Sequence, residues 1–514
     1  MINSDCLKQL EGCCDTNDKT EDIGISKREI SGPAKNHEVR NDTHGPSKRA
    51  KNDGGKYSKV LDLPQLDDTF DTEDHNELKT RVENLLNQLT LSEKVSLLSG
   101  SSLTSATGIP RLNIPTINLL DSINGIKSTN PTAPTLCFPS TTCLGSTFNP
   151  SLLYLMGKSL AIQAKKQKCN VILGPTINIH RDPRGGRNFE CFSEDPLLTG
   201  ILAANLMKGI QEGGVGACLK HFVGNESEFK RRFYSVTTPI SSRTMREIYL
   251  AAFEYAIKEC EPWAVMTAYN KIRPIPSDPP KYSSESPLLT SILRNQFSFT
   301  GCILSDWFGT RSTLPSLLSG LDLEMPGPSV FRGQKLLDAV NSGDLEERII
   351  DERVRNVLML ILKTTAAENG AIVEQDEDEK ARTLTHRIAT EGIVLLKNDH
   401  GILPLNPPGG KISVIGPYAL TPPINGGGSA LAVPQHVTSP LSCLQATYPG
   451  KVEYSQGFTT HVCTPSLPLP LTSAKNGENG IDISYYIHSS PTHPVLQTFT
   501  PTTKITHIGF LPPP

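Results

Sequence analysis

The chain has 514 residues, twelve of them cysteine, with a net charge of −3 and a pI near 6.5. That length predicts two or three domains, each with ample core, and the balanced charge recommends no nucleic acid as a partner. The cysteines are scattered, with no Cys-x-x-Cys pair and no cysteine–histidine spacing suited to zinc, which argues against a structural metal and against a disulfide-dense secreted scaffold.

Residues 1–69 contain a single aromatic, Tyr57, among many Asp, Lys, Asn, Ser and Gly. Such a segment buries too little apolar surface to offset its ordering entropy, so residues 1–75 are expected to form a disordered polar extension. Its basic cluster, Lys48-Arg49-Ala50-Lys51, reads as a solvated face rather than a targeting signal. Met1-Ile2-Asn3-Ser4-Asp5 shows no basic region followed by an apolar core. No apolar run approaches the roughly 18 residues of a spanning helix. The expectation is a soluble, cytoplasmic protein without a membrane partner.

Order is predicted to begin near Glu77, and a barrel domain is placed at 76–365. Thr90-Leu91-Ser92-Glu93 is a capping-box pattern that opens a helix through Val95, Leu97 and Leu98, closed by Gly100. One beat then recurs: a short apolar run ends in polar residues. Residues 117–120 end in Asp121, 170–173 in Gly174-Pro175, 215–219 in Lys220-His221, and 264–267 near Tyr269-Asn270. Residues 301–304 end in Ser305-Asp306-Trp307, and 320–326 reads as a last strand. Amphipathic segments such as 151–165 and 241–259 lie between them. Strands alternating with helices over about 250 residues predict an α/β fold of (β/α)8 TIM-like barrel type, although the beat places only six or seven strands.

A helix at 345–363 should end the barrel. The acidic run 374–380 reads as a solvated linker within 366–385. A partial α/β sandwich is placed at 386–465, with a helix over 381–397 and a strand at 411–417. Gly426-Gly427-Gly428-Ser429 lacks the Lys-Ser/Thr of a phosphate loop and reads as a surface turn. Residues 466–514 are Pro- and Thr-rich.

The strand ends are where a parallel barrel keeps its active site. Asp306 follows a buried strand there, with Trp307 beside it as a flat apolar face for a sugar ring. A carboxylate so placed can attack an anomeric carbon and form a covalent glycosyl-enzyme; it can equally cap the following helix. Asp121 can accept two hydroxyl hydrogen bonds from one sugar. Arg187, Lys220, His221 and Arg231 supply donors, Tyr269 can orient the nucleophilic carboxylate, and Met266 offers an apolar wall. Each has a structural reading as well: Arg187 with Glu190 as an ion pair, His221 as the cap of a buried carbonyl, Met266 as plain core.

The text of the strand ends resembles glycoside hydrolase family 3 β-glucosidases of the fungal and yeast type. The matching stretches are Gly174-Pro175-Thr176-Ile177-Asn178-Ile179, Gly185-Gly186-Arg187-Asn188-Phe189-Glu190 with Phe192-Ser193-Glu194-Asp195-Pro196, Lys220-His221-Phe222-Val223-Gly224-Asn225-Glu226, and Ser305-Asp306-Trp307. Glu324-Met325-Pro326-Gly327-Pro328 and Glu391-Gly392-Ile393-Val394-Leu395-Leu396-Lys397-Asn398 extend it, so that it covers about 80–460.

The resemblance implies a barrel followed by an α/β sandwich. It implies retaining hydrolysis of terminal β-D-glucosyl groups on small β-glucosides or oligosaccharides, with no cofactor and no metal. It places the nucleophile on Asp306 and sugar binding on Asp121, Arg187, Lys220, His221, Arg231, Met266, Tyr269 and Trp307. It leaves secretion open, and it makes residues 466–514 either a disordered tail or the start of an inserted protective-antigen-like β-domain, with 479–486 as that domain's first strand. Two departures stand out. Asp121-Ser122-Ile123-Asn124-Gly125-Ile126-Lys127 replaces the family's Asp-Gly-Pro-Asn-Gly-Val-Arg, and Lys127 cannot reproduce a planar Arg fork. The family's acid/base glutamate lies beyond the inserted β-domain, so no residue here is expected to fill that role. The alternative reading is therefore a truncated, catalytically impaired sugar-binding remnant. A β-N-acetylhexosaminidase is disfavoured because those relatives carry an Asp–His pair in the loop after the Lys-His strand, and residues 225–230 contain no histidine.

Overall fold

Alternation along a few short strands decides the architecture. The structure is a computed structural model that describes residues 72–121, 123–127, 134–226, 237–238, 240–273, 279–366, 377–405, 410–459, 481–485 and 496–500. Six strands, β1 (Ser105–Ala106), β2 (Ile117–Leu120), β3 (Val171–Ile172), β4 (Gly216–Phe222), β5 (Ala264–Thr267) and β6 (Cys302–Leu304), form one sheet in chain order. The first pair is antiparallel and every later pairing is parallel. Leu119, Val171, Cys218, Met266 and Leu304 enter one apolar cluster, with the helix Glu347–Ala366. Leu120, Ile172, Leu219, Val265 and Ile303 enter another, with the helices Pro150–Lys166, Pro196–Glu212 and Ala251–Cys260. Neighbouring side chains point to opposite faces of a strand, so a strand buried on both faces reads as the continuous apolar runs seen in the sequence.

The sheet continues past β6 as isolated bridges. Leu304 pairs with Leu323, Glu324 with Ser99, and Gly100 with Ala106 of β1. Ser305 N donates to Leu323 O, and Gly100 N to Glu324 O. Six strands and two bridged segments thus close the ring, and the barrel expected from the sequence is present. The beat fell short because residues 99–100 and 105–106 are too brief to show a pattern. Gly100 does not close the preceding helix: Leu91–Leu97 carries the expected capping box of Thr90 and Glu93 and ends on Leu98. Gly100 instead meets Gly327 so closely that a Cβ on Gly327 would stand 2.1 Å from Gly100 O.

The helices outside the sheet begin where their sequences say they should. Asn149 and Asp195 accept bonds from first-turn amides, and each is followed by Pro. Beyond residue 376 the helix Glu377–Glu391 lays Leu384 and Ile388 against the outer barrel cluster. Its acidic first turn, Glu377 to Glu379, comes from the run read as linker, and carboxylates suit the positive end of a helix. The helix expected over 381–397 stops at Glu391, and Ile393, Val394, Leu395 and Leu396 run on without helical structure, all exposed. The strands Ile412–Ile415 and Val452–Ser455 pair in parallel. Thr135 bridges to Pro434, and Gly426 packs on the Phe189 ring. These contacts lie within one compact unit, Asp68–Pro465. In the second unit the described residues form one antiparallel hairpin, Ile481–Tyr485 with Leu496–Thr500.

Candidate active site

The strand ends bring most of the expected residues together. Lys220 lies in β4 at 2% exposure, and its ammonium donates to Asp121 Oδ1 at 2.6 Å across the end of β2. Asp306, one residue beyond the end of β6 and the following Ser305, is 7% exposed. Its Oδ1 accepts the Trp307 amide at 2.7 Å, and its Oδ2 stands 3.7 Å from His221 Nε2. Ser305 fixes the backbone beneath it: its hydroxyl donates to Met325 O and accepts from Met325 N. The carboxylate therefore points into the barrel mouth from a short connection pinned on both sides.

Arg187 is mostly buried, with its Nε on Glu190 Oε1 at 2.6 Å, so the ion pair noted in the sequence is real. Burial opposes the guanidinium charge. The carboxylates of Glu190, Asp306 and Asp121 outweigh it and hold the Arg187 pKa above its ordinary value. Burial likewise raises Glu190, but Arg187 and Lys220 outweigh it and keep that carboxyl below its usual range. Thr176 adds a hydroxyl hydrogen bond to Glu190 at 3.0 Å. The site is thus a cluster of buried charges of both signs beside the indole of Trp307.

Trp307 is held at both ends. Its indole donates to Leu103 O, and its own carbonyl accepts from Tyr269 Oη, each at 2.7 Å. Tyr269 thus steadies the backbone one residue beyond the carboxylate it was expected to orient. Met266 is 2% exposed within the inner apolar cluster. Arg231 lies outside the described residues.

Asn178 and Glu226 sit within the motifs above, and nothing in the sequence marks a role for either. In the structure Asn178 Oδ1 accepts from His221 N at 3.0 Å and faces His221 Nδ1 at 3.2 Å. Asn178 Nδ2 donates to His221 O and to Glu226 Oε1. The signal was a polar residue three beyond a Gly-Pro turn, flanked by Ile177 and Ile179; its burial at 4% exposure gives that signal its meaning. Among the described residues no group of three or more His, Cys, Asp or Glu is placed to hold a metal, and no described helix is long and apolar enough to cross a membrane.

Most of the chain is similar to known proteins. The probable beta-glucosidase I of Aspergillus clavatus is 42% identical over 410 residues, covering 79% of this chain and 48% of that protein. A putative beta-glucosidase of Schizosaccharomyces pombe is 41% identical over 412 residues, with 79% and 48% covered. The crystal structure of a beta-glucosidase from Kluyveromyces marxianus in complex with glucose superposes with a TM-score of 0.69 at 36% identity, covering 82% of this chain and 52% of that one. The chain spans about half the length of the curated relatives it matches. The glycosyl hydrolase family 3 C-terminal domain matches residues 393–491. The N-terminal domain of the same family matches residues 59–360, more than half of the chain, and the chain therefore belongs to glycosyl hydrolase family 3.

Proposed function

We infer that this chain carries the glucosyl-binding and nucleophilic half of a retaining β-glucosidase, acting on terminal, non-reducing β-D-glucosyl residues of small glucosides or oligosaccharides and releasing β-D-glucose. The observation that carries the reading is Asp306: a buried carboxylate at a strand end, its Oδ1 fixed by the Trp307 amide and its Oδ2 beside His221. In this reading Asp306 attacks the anomeric carbon, the glycosidic bond breaks, and the aglycone oxygen leaves with a proton. Asp121 and Lys220 hold hydroxyls at one edge of the ring, Arg187 and His221 at another, and Trp307 stacks below the site where the aglycone departs. Arg231 and Met266 keep the sugar-binding roles expected from the sequence. The glucose bound in the Kluyveromyces marxianus structure supports the choice of sugar.

The proton for the leaving group is a separate matter. Glu190 is held below its usual range by Arg187, and Asp121 is committed to the Lys220 ammonium, so neither is suited to give it. That observation favours a second reading, glucose binding with little turnover of unactivated substrates. The test is the dinitrophenyl glycoside of 2-deoxy-2-fluoro-β-glucose, whose leaving group needs no acid. Mass spectrometry should find the label on the peptide containing Asp306. With Asp306→Ala, dinitrophenyl β-glucoside and azide should give the α-glucosyl azide. Label on another carboxylate, or β-azide from that variant, would remove Asp306 from the role.

A further inference from the structure

His221 presents Nε2 to Asp306, and the nitrogen behind it, Nδ1, faces an amide oxygen. Left to Asp306 alone, a neutral imidazole would put its proton on Nε2, where the carboxylate can accept it. The opposite side works against this. Asn178 Oδ1 already accepts the His221 backbone N–H, so that atom is an acceptor, and the Nδ1 that faces it must carry the proton. An asparagine amide can rotate by half a turn and exchange its oxygen for its NH2. Here two acceptors prevent it. Asn178 Nδ2 donates to His221 O at 3.1 Å and to Glu226 Oε1 at 3.3 Å. Glu226 is in turn fixed by the Ile179 amide, 3.2 Å from the same oxygen.

Glu226 has the further mark of a group kept for its position. Its other oxygen, Oε2, is out of solvent and has no hydrogen-bond partner among the described residues. Glu226 borders a cavity of about 20 Å³ that Asn178, Thr176 and Arg187 also line, room for about one water. A carboxyl placed there only for packing would be a poor choice, because a buried oxygen without a partner loses its hydration with nothing in return.

We propose that Asn178 and Glu226 are a pair of positioning residues that lock His221 in its Nδ1-protonated tautomer, so that Nε2 faces the sugar site as a hydrogen-bond acceptor for a ligand hydroxyl. The inference deepens the sugar-site reading and rests on it only for the ligand; the tautomer belongs to the protein alone. The ligand hydroxyl then bridges from Nε2 toward the crowded carboxylate end of the site, and a histidine with its proton on Nε2 would instead close onto Asp306 and refuse that hydroxyl.

The experiment reads the imidazole nitrogens directly, in the full chain labelled with ¹⁵N-histidine, with His221→Gln identifying the His221 resonances. In the wild type at neutral pH, long-range proton–nitrogen correlations should show Nδ1 as the protonated nitrogen. Glu226→Met removes one of the two acceptors that pin the Asn178 amide, and the proton should shift in part to Nε2. Glu226→Gln keeps an acceptor oxygen and should restore the wild-type pattern. Asn178→Asp combined with Glu226→Met should also keep Nδ1 protonated, since a carboxylate has no donor face to turn. Glucose titration runs alongside: Glu226→Met should weaken binding about tenfold and Glu226→Gln should stay within about twofold of wild type. A wild-type proton on Nε2, or a Glu226→Met spectrum identical to wild type, would overturn the lock even if glucose binds. No glucose binding by any variant, with the tautomers as expected, would instead count against the sugar-site reading and leave the lock standing.

Discussion

Glu226 gives a prediction that needs no substrate. Burial pushes its carboxyl up to about 7 from an ordinary 4.5, against hydrogen bonds from its own amide, the Ile179 amide and the Asn178 side chain, and against the charge of Arg181. Tyr249, which also faces it, feels the negative form. The folded chain therefore keeps this proton between pH 4.5 and about 7 while the unfolded chain has lost it. Where the folded state binds more protons, stability falls as pH rises. Below about pH 4.5 Glu226 makes no difference; each further pH unit removes about 1.4 kcal/mol until the folded-state value is reached, about 3 kcal/mol in all. Glu226→Gln cannot ionise and escapes that loss. Its apparent melting midpoint by scanning calorimetry, relative to wild type, should therefore be higher at pH 8 than at pH 5, by several degrees. An unchanged difference between the two pH values, or a wild type that gains on the variant at pH 8, would show that Glu226 is ionised in the fold and refute the reasoning.

Lys220→Met should strip Asp121 of its 2.6 Å partner and lower stability by about 3 kcal/mol, because a carboxylate is left behind in a largely buried site. Adding Asp121→Asn should recover part of that loss in urea unfolding; a double variant as unstable as the single one would mean the two residues are not coupled. Gly327→Ala places a Cβ 2.1 Å from Gly100 O and should destabilise the barrel by about 1–3 kcal/mol. Gly186→Ala, with nothing within 4 Å of its added carbon, should stay within about 0.5 kcal/mol of wild type. Equal melting midpoints for the two alanine variants would show that the seam yields freely.

How much of this was legible in the sequence follows from what each residue's signal depends on. Asp306, Lys220 and Asp121 stand at the ends of apolar runs, and a run broken by a charge is visible without any partner. The Lys220–Asp121 pair itself was not visible, because its two members come from β2 and β4 and only the curl of the sheet brings them together. The Tyr269 hydroxyl reaches the Trp307 carbonyl, one residue beyond Asp306, and the sequence cannot resolve a side chain from a carbonyl at that spacing. The helix over 381–397 was overextended because Ile393 to Leu396 is apolar enough to continue it, and periodicity has no way of reporting that those side chains face water. Asn178 and Glu226 were hidden for a different reason. Their proposed work is done through His221, so a polar residue among apolar neighbours marks the place of Asn178 without showing what it acts on.

The seam at Gly100 and Gly327 has a consequence for how the molecule comes into being on the ribosome. Ser99 and Glu324, which close the ring, lie at opposite ends of the barrel's sequence, whereas the pairings β2 to β6 each join neighbouring strands. The growing chain can therefore lay down a curved sheet strand by strand, but its two margins stay open until residues 323–327 have emerged. Through that interval the unpaired backbone of β1 and β6 is a template for any other extended chain, and two facing glycines, with no side chains to slow their approach, end it by letting the margins meet.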